Sequence, residues 1–139
     1  MKNLNLKKAK FGSCCMFVPL DSSLGVKLYA ERYERDISFF RQKKASKLGL
    51  GPKTFKRLTL NNPIVAGTGW RGDVPFKYGF ITEKARQYRG ICRESNPKLV
   101  KLHRKLEKHG FMSHDVIGPN IGYIGKKLVC IDFDIGSMG

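Results

Sequence analysis

The apolar and polar positions change rhythm several times along the chain. Residues 13–20, SCCMFVPL, form a short apolar run of strand length, and DSSLG after it has the composition of a turn. Residues 26–30, VKLYA, alternate apolar and polar, which predicts the second arm of a hairpin. From Glu31 to Leu48 the period lengthens. Tyr33, Ile37, Phe40 and Leu48 fall on one side of a helix with charges on the other, so an amphipathic helix is expected there. Gly49 and Gly51-Pro52 end it.

Residues 54–60, TFKRLTL, predict a strand. Asn61 to Val74 is rich in Asn, Gly and Pro and reads as a loop, with room for a short strand at Ile64–Ala66. Tyr78–Thr82 is another strand candidate. Asn96 suits an N-cap and Pro97 the first helical position. Leu99, Leu102 and Leu106 then line one helix face, which Gly110 closes. Ile121–Ile124 and Leu128–Ile131 are two strands joined at Gly125-Lys126. Strands, helix, strands, helix and a small hairpin make an α+β domain, with helices packed on a mostly antiparallel sheet.

The 139 residues are the size of one domain with its own core, and 41% hydrophobic with 11% aromatic residues is a folding composition. The formal charge of +16 turns attention to anionic partners: an acidic protein face, a nucleotide, nucleic acid or an anionic membrane surface. No known nucleic-acid motif accompanies it. Cys14, Cys15, Cys92 and Cys130 include no C-x-x-C pair, so reduced thiols are expected rather than a zinc site. No stretch has the length of a membrane span, and MKNLNLKKAKFG lacks the apolar core of a secretory signal; a cytoplasmic protein is expected.

Three of the few acids gather in HDVIGPNIGYIGKKLVCIDFD, residues 114–134. The hairpin folds the chain back, so Asp132 returns toward Asn120, and the two offer hard oxygens to Mg²⁺. Asp115 stands beside them as an acceptor for a hydroxyl proton. This is the acidic half of a phosphoryl-transfer site. The basic half needs a lysine on a strand, held by an acid from a helix. Lys27 lies in the strand GVKLYA, and Glu31, Glu34 and Asp36 open the helix after it.

Taken together these parts resemble the protein-kinase-like superfamily over nearly the whole chain. Lys27 is similar to the strand lysine of V-A-I-K, and ERYERDISFFRQ to the regulatory helix whose acid pairs with it, with Glu34 or Asp36 in that place. YGFITEKA resembles the strand and hinge that hold adenine, with Glu83 and Ala85 in the hinge. HDVIGPN resembles H-R-D-L-x-x-x-N, which makes Asp115 the catalytic aspartate and Asn120 a metal ligand. IDFD resembles D-F-G, which makes Asp132 the metal aspartate. The Gly-rich loop is reduced to Phe11-Gly12-Ser13, leaving Gly12 and Ser13 as the phosphate cover.

There are departures from the family pattern. Ser113 stands for the first His of the catalytic loop, His114 for its Arg, and Asp134 for the Gly of D-F-G. The IDFD ending is similar to that of sugar and lipopolysaccharide kinases, and the shortness after it to bacterial effector kinases. The resemblance implies an N-lobe-like part over 1–82, with sheet and regulatory helix. It also implies a reduced C-lobe-like part over 83–139, with one main helix, a catalytic loop and a small hairpin.

The function implied is transfer of the γ-phosphate of ATP, with Mg²⁺, to a protein hydroxyl. Lys27 and Asp115 would be catalytic, and Asn120 and Asp132 would be the metal ligands. Two alternatives differ in class. One is a pseudokinase that binds an acidic partner without turnover. The other is a basic protein that binds nucleic acid, or a sugar kinase. The basic run containing Arg86, Arg89, Arg93, Lys98, Lys101, Arg104, Lys105 and Lys108 is the candidate face for an acidic protein, partner or substrate. GTGWRG around Trp70 lacks the strand–turn–helix setting of a phosphate loop and is set aside.

Overall fold

The computed structural model describes residues 4–11, 15–67, 72–88, 97–111 and 120–133. Its elements follow the expected α+β order. A 3₁₀ turn at Leu6–Lys8 leads into β1 (Lys10–Phe11), β2 (Cys15–Pro19) and β3 (Leu24–Tyr29). Helix α1 (Arg32–Lys47) comes next, then β4 (Thr54–Gly67) and β5 (Asp73–Glu83). The remainder holds β6 (Arg86–Gln87), α2 (Pro97–Lys108), β7 (Ile121–Ile124) and β8 (Lys127–Cys130). Strands β1 to β5 form one antiparallel sheet in the order β1-β2-β3-β5-β4, and β6-β7-β8 form a second.

Alternation along the strands sorts the first sheet into two faces. Met16, Val18, Val26, Leu28, Val74 and Phe76 pack together on one face. Cys15, Tyr29 and Phe80 lie on the other and meet Phe39 of α1. A separate cluster surrounds α2 and the second sheet: Leu99, Leu102, Leu106, Phe111, Ile121, Cys130 and Phe133. Ala45 and Leu50 join it from the end of α1. The Cys130 amide donates to the Leu50 carbonyl at 2.9 Å, which ties the second sheet to the α1–β4 connection.

The helix ends obey the sequence signals. Gly49 and Gly110 take φ of 73° and 85° just past α1 and α2, a conformation that costs a glycine little. Pro97 opens α2 as expected, and its leucines are the buried face.

Two expectations are corrected. The loop expected from Asn61 is strand as far as Gly67: β4 runs from Thr54 to Gly67 and takes in the short strand expected at Ile64–Ala66. Its register against β5 shifts between Thr59 and Ile64, so Asn61-Asn62-Pro63 is absorbed as a bulge. Strand β4 is an edge strand, where a proline costs no ladder bond on its open side.

The second correction is the orientation of α1. Its buried residues are Glu34, Arg35, Ser38, Phe39, Gln42 and Ala45. Tyr33, Phe40 and Leu48, expected on a core-facing stripe, are 60%, 53% and 40% exposed. The polar side turns inward because it has polar partners there. Tyr29 and Ser38 share a 2.7 Å hydrogen bond between hydroxyls. Arg35 donates to the Leu58 carbonyl at 3.0 Å. Outward-facing Phe40 keeps partial cover from a cation: the Arg57 guanidinium lies 5.2 Å from its ring centre and from that of the buried Phe39.

Candidate functional site

The site begins with the pairing of three strands. Phe17 of β2 stands opposite Lys27 of β3, and Lys27 opposite Phe80 of β5. Opposed residues share a face, so the Lys27 side chain leaves the sheet on the α1 side between two aromatic rings. It is 8% exposed. Its ammonium donates to Gln42 Oε1 at 2.9 Å and to the Ile131 carbonyl at 2.7 Å. Both acceptors are neutral. The described ion pairs join Arg35 and Arg57 to Asp36 and His103 to Glu107, and none of them includes Lys27.

The expectation that Glu34 or Asp36 pairs with Lys27 is therefore corrected. Asp36 accepts from Arg35 Nε at 2.9 Å and from Arg57 at 3.2 Å, on the β4 side of the helix. Glu34 is buried, yet it sits eight residues before Gln42, about 12 Å along the helix axis. The position on α1 that meets the lysine is Gln42. Its amide explains why a carboxylate does not stand there. While Oε1 accepts from Lys27, Nε2 donates to the Pro52 carbonyl at 3.1 Å and to the Thr82 hydroxyl at 2.7 Å. A carboxylate has no donor for the Pro52 carbonyl. This buried network links β3, α1, the start of β4, β5 and the segment after β8.

The β7–β8 hairpin assembles the other half. Ile121 pairs with Cys130, and the Ile131 amide donates to the Asn120 carbonyl at 2.9 Å. Asn120 and Asp132 are thus brought to the same end of the hairpin, as the sequence implied. Both are partly buried and line a cleft of about 720 Å³. Lys27, Thr82, Glu83 and Ala85 line it too. Five residues expected to form one site from separate parts of the sequence therefore share one cleft: Lys27, Glu83, Ala85, Asn120 and Asp132. Gly12, Ser13, Asp115 and Asp134 lie outside the described residues, as do His114, Trp70, Arg89 and Arg93.

The floor of the cleft is set by a close approach. A Cβ built on Gly25 would come within 2.3 Å of the Phe17 ring, so only a glycine leaves room for the tip of that ring. Beside it Glu83 is turned back toward β4, where its carboxylate accepts from the Lys53 amide at 3.1 Å. Ser23 and Lys84 close the strand ends: the Lys84 amide donates to the Ser23 carbonyl at 2.8 Å.

One amide oxygen and one carboxylate suit Mg²⁺, which keeps several waters and completes its shell with phosphate oxygens. Among the described residues no group of three or more His, Cys, Asp or Glu side chains is placed to hold a metal ion. The donor set fits a cation that arrives with a phosphate ligand.

The thiol of Cys130 lies behind this corner, 1% exposed, and its sulfur contacts the Asp132 carbonyl at 3.4 Å. Burial, with a smaller contribution from the Asp132 carboxylate, pushes its pKa up to about 12. It is a packing residue at neutral pH.

Sequence reasoning missed Gln42, Phe17 and the N-terminal lysines Lys7, Lys8 and Lys10, all three of which line the cleft. A signal for Gln42 was present: it is the uncharged residue of RQKK, on a stripe with Glu34, Ser38 and Ala45 at helical spacing. On α2, Lys98, Lys101, Arg104, Lys105 and Lys108 are exposed, against one exposed acid, Glu107. Among the described residues no helix is long and apolar enough to cross a membrane. Comparison with protein-family models, with curated proteins and with solved structures finds no match.

Proposed function

We propose that the cleft binds ATP with Mg²⁺ and that the chain is a minimal kinase-like phosphotransferase acting on a protein hydroxyl. The observation that carries this is the meeting of Lys27, Asn120 and Asp132 in one cleft of nucleotide size. A buried ammonium whose hydrogen-bond partners are neutral oxygens favours an anion as its ligand. The phosphates supply that anion. Asn120 and Asp132 would hold the metal that the phosphates bring, and the metal would supply neutralisation of charge on the transferred group. Glu83 and Ala85 lie at the same cleft, where the hinge of the resemblance would hold adenine. Asp115 would accept the proton of the attacking hydroxyl.

A second function, nucleotide binding without turnover, is favoured by Gln42. A carboxylate in its place would anchor Lys27 by charge, whereas the amide anchors it by hydrogen bonding alone. Transfer of labelled phosphate from ATP, compared between the wild type and Asp115→Ala, separates the two. Turnover that disappears in Asp115→Ala supports the phosphotransferase. Nucleotide binding with no turnover in either protein supports the binding module. No binding by the wild type overturns both.

A further inference from the structure

The N-terminal segment brings lysines to the cleft that no local pattern places there. Its 3₁₀ turn is capped by Asn5, whose side chain accepts from the Lys7 amide at 3.2 Å. Leu4 and Ala9 pack against the Met16–Phe76 cluster on the far face of the sheet. Strand β1 then pairs with β2. The segment is held at both ends, and Lys7, Lys8 and Lys10 line the cleft.

Register fixes one of these lysines against the site. Lys10 stands opposite Phe17, and Phe17 opposite Lys27. The three belong to one cross-strand row on one face of the sheet. Two strand spacings separate the Lys10 and Lys27 backbones, about 10 Å. Lys10 is exposed and Lys27 buried, with Phe17 between them in the row. Among the described lining residues are five lysines and two carboxylates, Glu83 and Asp132. Lys84 has an acid nearby, since it helps to hold the Asp21 carboxyl below its usual range, after the Ser23 and Leu24 amides. The three N-terminal lysines carry the remaining excess. Lysine is a compact point charge that suits phosphate oxygens without demanding one fixed geometry.

We propose that Lys7, Lys8 and Lys10 form a second phosphate clamp on the cleft, so that the site selects its nucleotide by the number of phosphates. The clamp rests on the nucleotide function proposed above and adds what sets its specificity. Each further phosphate brings negative charge to a lip that Lys27 alone does not supply. ATP binds more tightly than ADP, and ADP more tightly than AMP. The contacts are exposed, so this preference fades with salt.

The test is calorimetry on the full chain at low salt with ATP, ADP, AMP, adenosine and inorganic tripolyphosphate. It compares the wild type with Lys7→Ala/Lys8→Ala/Lys10→Ala, and with the triple arginine variant as a charge-conserving control. The three side chains are exposed, so the fold is expected to persist, as melting will show. The alanine variant should lose about tenfold in affinity for ATP and for tripolyphosphate, the scale of a few exposed charge contacts. Adenosine binding should be unchanged, and the arginine variant should bind ATP as the wild type does. Equal affinity of the alanine variant for ATP, or equal wild-type affinities for ATP and AMP, overturns the clamp. Tripolyphosphate that binds as tightly as ATP, with the alanine variant weakened for both, leaves the clamp standing and overturns the nucleotide. Absence of binding by any of the five overturns both.

Discussion

The Lys27 ammonium and the Gln42 amide oxygen meet at 2.9 Å inside the protein, so a neutral side chain anchors the buried charge of β3. The same amide reaches Pro52 and Thr82. One residue therefore ties α1 to the sheet and helps to fix the place of the lysine in the cleft.

This network makes the inward side of α1 polar, and stability should show it. Gln42→Leu leaves the Pro52 carbonyl and one Lys27 donor without a partner, and should cost about 2 kcal/mol. Phe40→Ser, on the outward side, should cost less than about 1 kcal/mol. Urea unfolding of the two variants checks this. A larger loss for Phe40→Ser would mean that the aromatic stripe faces the core after all.

Asp132 and Asp115 should separate by role. Asp132→Asn should weaken Mg²⁺-dependent ATP binding more than Asp115→Asn, because it removes the anionic oxygen of the Asn120/Asp132 pair. Titrations of both variants, with Mg²⁺ and with EDTA, measure the difference. Equal effects would contradict the assignment of Asp132 to the metal.

Cys130 should shape the alkaline limb of stability. Its folded pKa is raised from 9.0 to about 12, so the folded state keeps the thiol protonated where the unfolded chain ionises it. The stabilisation is complete below pH 9.0 and is lost as pH rises from there toward 12. Cys130→Ala should flatten this loss relative to the wild type in denaturant melts taken across that range. Identical slopes in the two proteins would sink the assignment. Native Cys130 should also resist alkylation at pH 8, measured by mass spectrometry with and without denaturant.

The exposed cations of α2 should serve association and not the cleft. Lys101, Arg104, Lys105 and Lys108, with Pro97 and Val100, line a surface hollow of about 410 Å³ on one side of the helix. An acidic protein is the partner its charge favours. Reversing Arg93, Lys101 and Lys105 to Glu should weaken capture of such a partner at low salt and leave ATP binding nearly intact. Unchanged capture by the triple variant would show that the face is only solvated.

Much of this was written in the sequence because it was local. Turn residues and strand periods gave β2, β3, the β7–β8 hairpin and both helix ends. The hairpin placed Asp132 near Asn120 by chain geometry alone. What was not legible depended on distant partners. Tyr33, Phe40 and Leu48 look like a core stripe until Pro52, Thr82 and Lys27 offer the other side of α1 its hydrogen bonds. Asn61-Asn62-Pro63 reads as a loop until β5 provides a ladder along which it can bulge. Lys7 and Lys10 have no local pattern at all, and only the pairing of β1 with β2 brings them to the cleft.

If Lys27 receives the phosphates of a nucleotide, Mg·ATP should stabilise the fold through this one side chain. The most direct test is the shift in melting temperature on adding Mg·ATP to the wild type and to Lys27→Met. A ligand that binds only the folded state must stabilise it, by an amount that grows with concentration over Kd. The wild type should rise steadily through the millimolar range, while the variant stays folded and rises little. No shift in the wild type at millimolar Mg·ATP, or equal shifts in the two proteins, would contradict the account.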